Sequence, residues 1–152
     1  MEPERAQALL GDARVARFAT SAPDGRPAIV PVCFAVSGAV IYHAVDHKPK
    51  STRRLARLAH LAADPRAALL ADHYADDDWS ALWWVRADGA CRVLEDAEAP
   101  EAARALDLLR ERYAQYRQRR PEGPVIALDV ERLSGWEARP GSVGEGLRAR
   151  GG

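Results

Sequence analysis

"HAVDHKPKSTRRLARLAHLAADPRAALLADHY", residues 43–74, is the stretch whose reading decides the fold. It leaves an apolar, strand-like run, becomes helical, and turns strand-like again after Asp64-Pro65. Ser51 or Thr52 can cap the helix, with Leu55, Leu58 and Ala62 on one face. Asp64-Pro65 ends it, because a residue before proline is pushed out of the helical region. Lys48 and Lys50 then lie in the loop entering the helix, and Arg53 and Arg54 in its first turn. The helix dipole disfavours cations at this end, on the order of a few tenths of a kcal/mol per charge, and favours anions. Free backbone N–H groups, a hydroxyl and flanking lysine and arginine are the parts of a phosphate or polycarboxylate site. The competing reading is a solvated helix start in an arginine-rich chain. Spacing alone does not choose between them, and it does not say which anion.

Upstream, "PERAQALLGDA" predicts a short helix over 3–11, with Ala6, Leu9 and Leu10 at helical spacing. "RVARFAT" predicts a strand in which Ala16, Phe18 and Thr20 alternate against Val15, Arg17 and Ala19. "SAPDGRP" is a turn, and "AIVPVCFAV" is a second apolar strand. Pro31 cannot donate to a ladder, so that strand has an edge segment or a bulge. "AVIYHAV" completes a three-strand meander before residue 46.

Downstream, "PRAALLADHY" is a fourth strand, and "SALWWVRADGACRVLED" a long one with a bend at Asp88-Gly89. "APEAARALDLLRERYAQYRQRR" is the clearest helix, with Leu106, Leu109 and Tyr113 on one stripe. "PEGPVIALDVERLSGWEARP" returns as a final strand. Six or so strands joined mostly by hairpins, one short crossover helix and one longer late helix predict an α+β fold, a mainly antiparallel barrel. The chain reads as one domain over 1–140 with a frayed tail over 141–152.

Basic and acidic residues balance at 22 each, so no global field draws nucleic acid or a membrane surface. No apolar run approaches the ~20 residues of a membrane span. Two cysteines, Cys33 and Cys91, in apolar runs fit a reduced, cytoplasmic protein. Lys48 and Lys50 are the only lysines of an arginine- and alanine-heavy chain, which sets them apart from its compositional bias.

The opening stretch also carries a family likeness. "IYHAVDHKPKSTRRLARLAHLAADPRAALLADHY" resembles the pyridoxamine 5′-phosphate oxidase-like family, where a strand leads into a Lys/Arg–Ser/Thr cluster, a short helix, "DPR" and another strand. "WWVRADG" (83–89) is similar to the family's aromatic-Val-Arg-x-x-Gly motif, and "ATSAPDGRPAIVPVCF" to its first hairpin. The motifs span about residues 12–95, and they resemble those of actinobacterial members that use the deazaflavin coenzyme F420.

The resemblance implies a split β-barrel homodimer with a flavin-type cofactor at the subunit interface. It implies that Lys48, Lys50, Ser51, Arg53 and Arg54 hold the cofactor's phosphate and acidic tail. Val30, Pro31, Val32 and Cys33 would lie along the ring, mostly through backbone. Trp79, Trp84 and Arg86 would come from later strands and reach a neighbouring subunit's cofactor, with Trp136 near the substrate side. Arg53 departs from the asparagine common in the deazaflavin users. The arginine-rich C-terminal substrate motif of true pyridoxamine phosphate oxidases is missing, which speaks against that substrate.

The implied function is hydride transfer from reduced coenzyme F420 to an electron-poor small molecule. The alternatives are an FMN-binding oxidoreductase or a non-catalytic cofactor- or tetrapyrrole-binding protein on the same barrel. FMN has one phosphate, whereas the longer, more negative coenzyme F420 suits a cationic strip. Arg57, one turn on, reads as a solvated helix residue. No triad or carboxylate dyad is visible, so no catalytic residue is assigned, in keeping with chemistry carried by a cofactor.

His43, His47 and His73 lack zinc-like spacing and read as strand-end residues beside a pocket or solvent rather than a metal site. "RERYAQYRQRRPEG" reads as a solvated helix end rather than a nucleic-acid contact. Cys33 reads as a small strand residue rather than a nucleophile. Trp83 and Trp84 face opposite sides of a strand, so one of them must pack in the core.

Overall fold

The computed structural model describes residues 1–45 and 52–138, with the backbone alone for 52–55. The elements in chain order are α1 (Pro3–Asp12), β1 (Ala16–Ser21), β2 (Pro27–Val32), β3 (Ala35–Ser37), β4 (Val40–Ala44) and α2 (Thr52–Ala63). They continue with β5 (Arg66–His73), a 3-10 turn (Trp79–Ala81), β6 (Trp83–Leu94), α3 (Pro100–Arg112), α4 (Ala114–Gln118) and β7 (Val125–Glu137). The expected tail over 141–152 lies outside the described residues. Among the described residues, no helix is long and apolar enough to cross a membrane.

All seven strands join one antiparallel sheet in the order β2-β1-β5-β6-β7-β4-β3. Its two end strands, β2 and β3, are separated in the chain only by Cys33 and Phe34. Three Cα steps reach at most about 11 Å, whereas the ends of a flat seven-stranded sheet lie about 29 Å apart at ~4.8 Å per strand. The sheet must therefore curl until its edges meet at Cys33–Phe34. This curled sheet is the mainly antiparallel barrel that the sequence predicts, in the split form that the family resemblance implies.

The closure corrects two expectations. "AIVPVCFAV" is two strands broken at Cys33–Phe34, because one straight segment cannot serve both edges of the sheet. The first strands are likewise two hairpins on opposite edges, β1–β2 and β3–β4, not a meander. Of the edge or bulge expected at Pro31, the edge holds: among the described residues β2 pairs with β1 alone, with Pro31 opposite Arg17. Gly25, at φ +86°, makes the tight turn of the first hairpin.

β6 and β7 form the long wall of the barrel, paired from Trp83↔Glu137 to Leu94↔Val125. The bend expected at Asp88-Gly89 is a register shift: Asp88 faces Arg132, Gly89 faces Val130, and Glu131 is the extra residue. A Cβ on Gly89 would sit 2.0 Å from the Asp129 carbonyl oxygen, so only glycine lets the strands approach this closely.

Both faces of β7 are covered, which explains why Val125, Ile126, Ala127 and Leu128 are all buried. Ile126 and Leu128 join Phe18, Ile41, Leu69 and Val85 inside the barrel, closed by Leu9 and Leu10 of α1 and Leu61 of α2. Val125 and Ala127 pack outward with Tyr42 against Ala102, Ala105, Leu106 and Leu109 of α3. Arg92 ties that layer down: its Nη1 lies 2.7 Å from Glu101 and its Nε 2.7 Å from Asp129, while the Tyr42 hydroxyl donates to Glu101 at 2.9 Å. The arginine and Tyr42 hold the Glu101 carboxyl down at about 2.

The late helix expected to run unbroken is interrupted. Tyr113 adopts an extended conformation (φ −120°, ψ 117°), ending α3 and beginning the short α4.

Candidate functional site

α2 starts at Thr52, where the capping pattern places it, so Arg53 and Arg54 occupy its first turn. Lys48, Lys50 and Ser51, and the side chains of Arg53 and Arg54, lie outside the described residues. The rest of α2 departs from expectation in one respect: Ala62 is exposed, and Leu58 and Leu61 face the barrel instead. Leu58 and Leu61 are an i, i+3 pair, which shares one face of a helix.

Beneath α2 lies a polar group of unusual burial. His43, on β4, is 1% exposed and packs against the Phe18 ring at 4.5 Å. Thr20, buried on β1, is hydrogen-bonded to His60 Nδ1 at 3.2 Å. Arg57 is half-buried with its Nε shielded from solvent. Two readings are corrected here. His43 is a core residue, not a strand-end residue beside a pocket or solvent, because the curled sheet folds β4 under β1. Arg57 is not a solvated helix residue, because α2 turns that face toward the sheet.

Burial, and secondarily the Arg57 charge, push the His43 imidazole down to about 3 from its ordinary 6.5. The folded state thus binds fewer protons than the unfolded one between those limits, and stability falls as pH drops below 6.5. Between pH 6.5 and 5 this group alone should remove on the order of 1–2 kcal/mol. Chemical denaturation of His43→Leu at both pH values should show that part of the slope flattened. An unaltered slope would place the acid sensitivity elsewhere.

The four ring-strand candidates alternate as β geometry requires. Val30 is half-buried against the core, Pro31 is exposed, Val32 is buried and Cys33 is half-buried just past the end of β2. Cys33 is thus a residue of the seam, not of a strand. On the outer face, one row runs across the sheet from Pro31 to Arg17, Leu70, Arg86 and Ser134. The adjoining row holds Asp72, Trp84 and Trp136 in register.

Trp84 and Trp136 are exposed neighbours, and Trp83 packs on the core, as the alternation requires. Arg17 lies 3.4 Å from Asp72, and Arg86 donates to Asp88 at 2.9 Å. Trp79 is exposed on the 3-10 turn, which Asp78 caps by accepting from the Ser80 N–H. It belongs to that turn and not to a later strand. Pro31 and Arg86 are three strands apart, about 14 Å along the sheet.

Sequence reasoning missed a second set of residues, at the seam. The Phe34 N–H donates to the Tyr113 hydroxyl at 3.1 Å, and that hydroxyl lies 2.9 Å from the Arg14 carbonyl and 3.1 Å from the Phe34 carbonyl. Arg14 and Arg112 stack over the Tyr113 ring at 4.7 and 5.5 Å, and Arg112 also covers Phe34 at 5.4 Å. The Arg112 guanidinium donates to the Gly11 and Ala13 carbonyls. The helix end read as solvated is thus turned inward at Arg112 and Tyr113. Only Tyr113 on the apolar stripe gave any signal of this.

The family model for pyridoxamine 5′-phosphate oxidase matches residues 2–137. No curated protein matches the chain. Among solved structures, a conserved hypothetical protein from Mycobacterium tuberculosis shares 22% identity over 90% of this chain and 85% of its own, with a TM-score of 0.71. An FAD-binding protein from Mesorhizobium loti shares 22% identity over 89% and 94%, with a TM-score of 0.65. The heme storage protein HutZ from Vibrio cholerae shares 13% over 89% and 93%, with a TM-score of 0.68. At these identities the likeness is one of fold.

Proposed function

The chain belongs to the pyridoxamine 5′-phosphate oxidase family, and on that footing we propose that it is an oxidoreductase binding a flavin-type cofactor, coenzyme F420 ahead of FMN, between two copies of the chain. The observation that carries the reading is the start of α2 at Thr52, directly after Lys48, Lys50 and Ser51, with Arg53 and Arg54 in the first turn. Cations at the positive end of a helix are unfavourable alone and become favourable around a phosphate or an acidic tail.

The chain's other residues suit a flat ring with polar edges. Among the described residues β2 pairs on one side only, so alternate backbone groups between Val30 and Val32 point away from β1. Exposed Ile29 and Pro31 offer apolar surface beside them. Trp84, Arg86 and Trp136 lie too far along the sheet to meet the same ring, so a second copy supplies them. Sedimentation as a monomer at working concentration would remove that part.

When bound, the cofactor supplies the hydride chemistry, and the protein binds it, orients it and excludes water. The acceptor is an electron-poor small molecule. The FMN reading is supported by fold neighbours described as FAD-binding, and a tetrapyrrole-binding role by one described as heme storage.

Titration with coenzyme F420 and with FMN, followed by tryptophan fluorescence, separates these readings. Saturable coenzyme F420 binding with weak FMN binding is expected. The double variant Lys48→Ala/Lys50→Ala should bind at least about tenfold more weakly, some 1.4 kcal/mol. Unchanged affinity would dismiss the two lysines as phosphate ligands. Tight FMN binding would reduce the cluster to a single-phosphate site, and a Soret band in the purified protein would favour the tetrapyrrole.

A further inference from the structure

We propose that Tyr113 is the positioning residue of the candidate cofactor strand, holding the Cys33–Phe34 seam from the break between α3 and α4 and so setting where Val30–Cys33 lies. This rests on the flavin-type reading above and deepens it.

The seam poses a backbone problem. Strands on a sheet satisfy their peptide groups through neighbours, but Cys33 and Phe34 lie between two strands that belong to opposite edges. Phe34 is fully buried, so water cannot serve its N–H and C=O. One phenol does. The Tyr113 oxygen accepts from the Phe34 N–H at 3.1 Å, and its single hydrogen is shared between the Phe34 carbonyl at 3.1 Å and the Arg14 carbonyl at 2.9 Å.

A role confined to anchoring α3 does not account for this arrangement. α3 is already held by buried Leu106 and Leu109 and by the Arg92–Glu101 pair. A continuous helix would keep Tyr113 on its stripe; the extended conformation at that one residue instead accompanies a hydroxyl aimed at the seam backbone. The guanidinium groups of Arg14 and Arg112 hold the ring from their positions over it. The exit of α1, the seam and the end of α3 thus meet at one oxygen, two residues beyond the end of β2.

The test compares Tyr113→Phe with Tyr42→Phe. The Tyr42 backbone pairs with Ala35 beside the seam, but its hydroxyl donates to Glu101 at the opposite end of α3 from Tyr113, so its variant removes a tyrosine hydroxyl there and leaves the seam's backbone hydrogen bonds in place. Three readouts are taken: affinity for coenzyme F420 and FMN, the visible spectrum of whichever cofactor is bound, and the rate at which a thiol reagent labels Cys33. Cys91 does not confuse the last, since burial pushes its thiol up to about 12.

Tyr113→Phe should bind the cofactor about tenfold more weakly, within the net loss expected when the hydroxyl's accepted and donated hydrogen bonds both go. It should also shift the bound spectrum and label faster at Cys33. Tyr42→Phe should lower the melting temperature and change none of the three. Equal affinity and spectra in both variants and the wild type would overturn the role of Tyr113 alone. A wild type that binds neither cofactor would overturn the flavin-type reading, and this role with it.

Discussion

Gly89→Ala is expected to destabilise the protein by about 3 kcal/mol or more, the upper end of overpacking costs. The reason is space rather than backbone conformation. An added Cβ would lie 2.0 Å from the Asp129 oxygen, 2.9 Å from its carbonyl carbon and 3.2 Å from the Val130 Cα. All three are backbone atoms, so no side-chain rotation relieves the overlap. The strands cannot separate locally either, because β6 and β7 are paired on both sides of the bulge, from Asp88↔Arg132 outward and from Gly89↔Val130 inward. Relief means breaking the longest ladder of the barrel. At roughly 2–4 °C per kcal/mol for a chain of this size, the melting temperature should fall by about 6–12 °C. Circular dichroism melts of the two proteins decide it. A difference within a degree or so would mean that β6 and β7 part freely at this point.

The second large effect is at the seam. Phe34→Ala should cost about 3–5 kcal/mol, the range for deleting a fully buried aromatic ring. Phe34 is 0% exposed, packs in the barrel core and lies under the Arg112 guanidinium. Its removal leaves a hole where the two sheet edges meet, and the flanking residues are held by hairpins that pull toward opposite edges. Urea denaturation should show the midpoint reduced with little change in slope. Phe34→Leu, which refills most of the volume, should recover more than half of the loss. A loss below about 1 kcal/mol for the alanine variant would mean that the seam is not a packed part of the barrel.

The fold was legible where neighbours along the chain decide the structure. α1 ends within a residue of its expected limit, and β1 buries Ala16, Phe18 and Thr20 as its alternation predicts. The bend at Asp88-Gly89 and the limits of α2 were visible for the same reason: glycine and proline act on their own backbone. The misreadings share the opposite cause. "AIVPVCFAV" is uniformly apolar on both sides of the seam, so nothing local marks Cys33–Phe34 as the point where the strand changes edges. His43 and Arg57 look like surface residues by type, and their burial follows from which elements fold over them. Tyr113 sits on a regular apolar stripe, while the backbone its hydroxyl binds lies 79 residues away at Phe34.

The candidate site divides in the same way. The cluster Lys48, Lys50, Ser51, Arg53 and Arg54 is contiguous, so its chemistry can be read directly from the residue types and the helix start beside them. The outer face is not contiguous. Pro31, Arg17, Leu70, Arg86 and Ser134 come from five strands and form one row only because of ladder register.

By itself the sequence determined the strand and helix types, the ends of α1, the first hairpin turn and the basic start of α2, since each depends on interactions within a few residues. Tertiary structure alone decided the closure at Cys33–Phe34, the burial of His43 and Arg57, and the clamp at Tyr113. Those depend on which distant segments come to share the same low-dielectric interior, where a peptide group must find a partner and a charge must be sheltered.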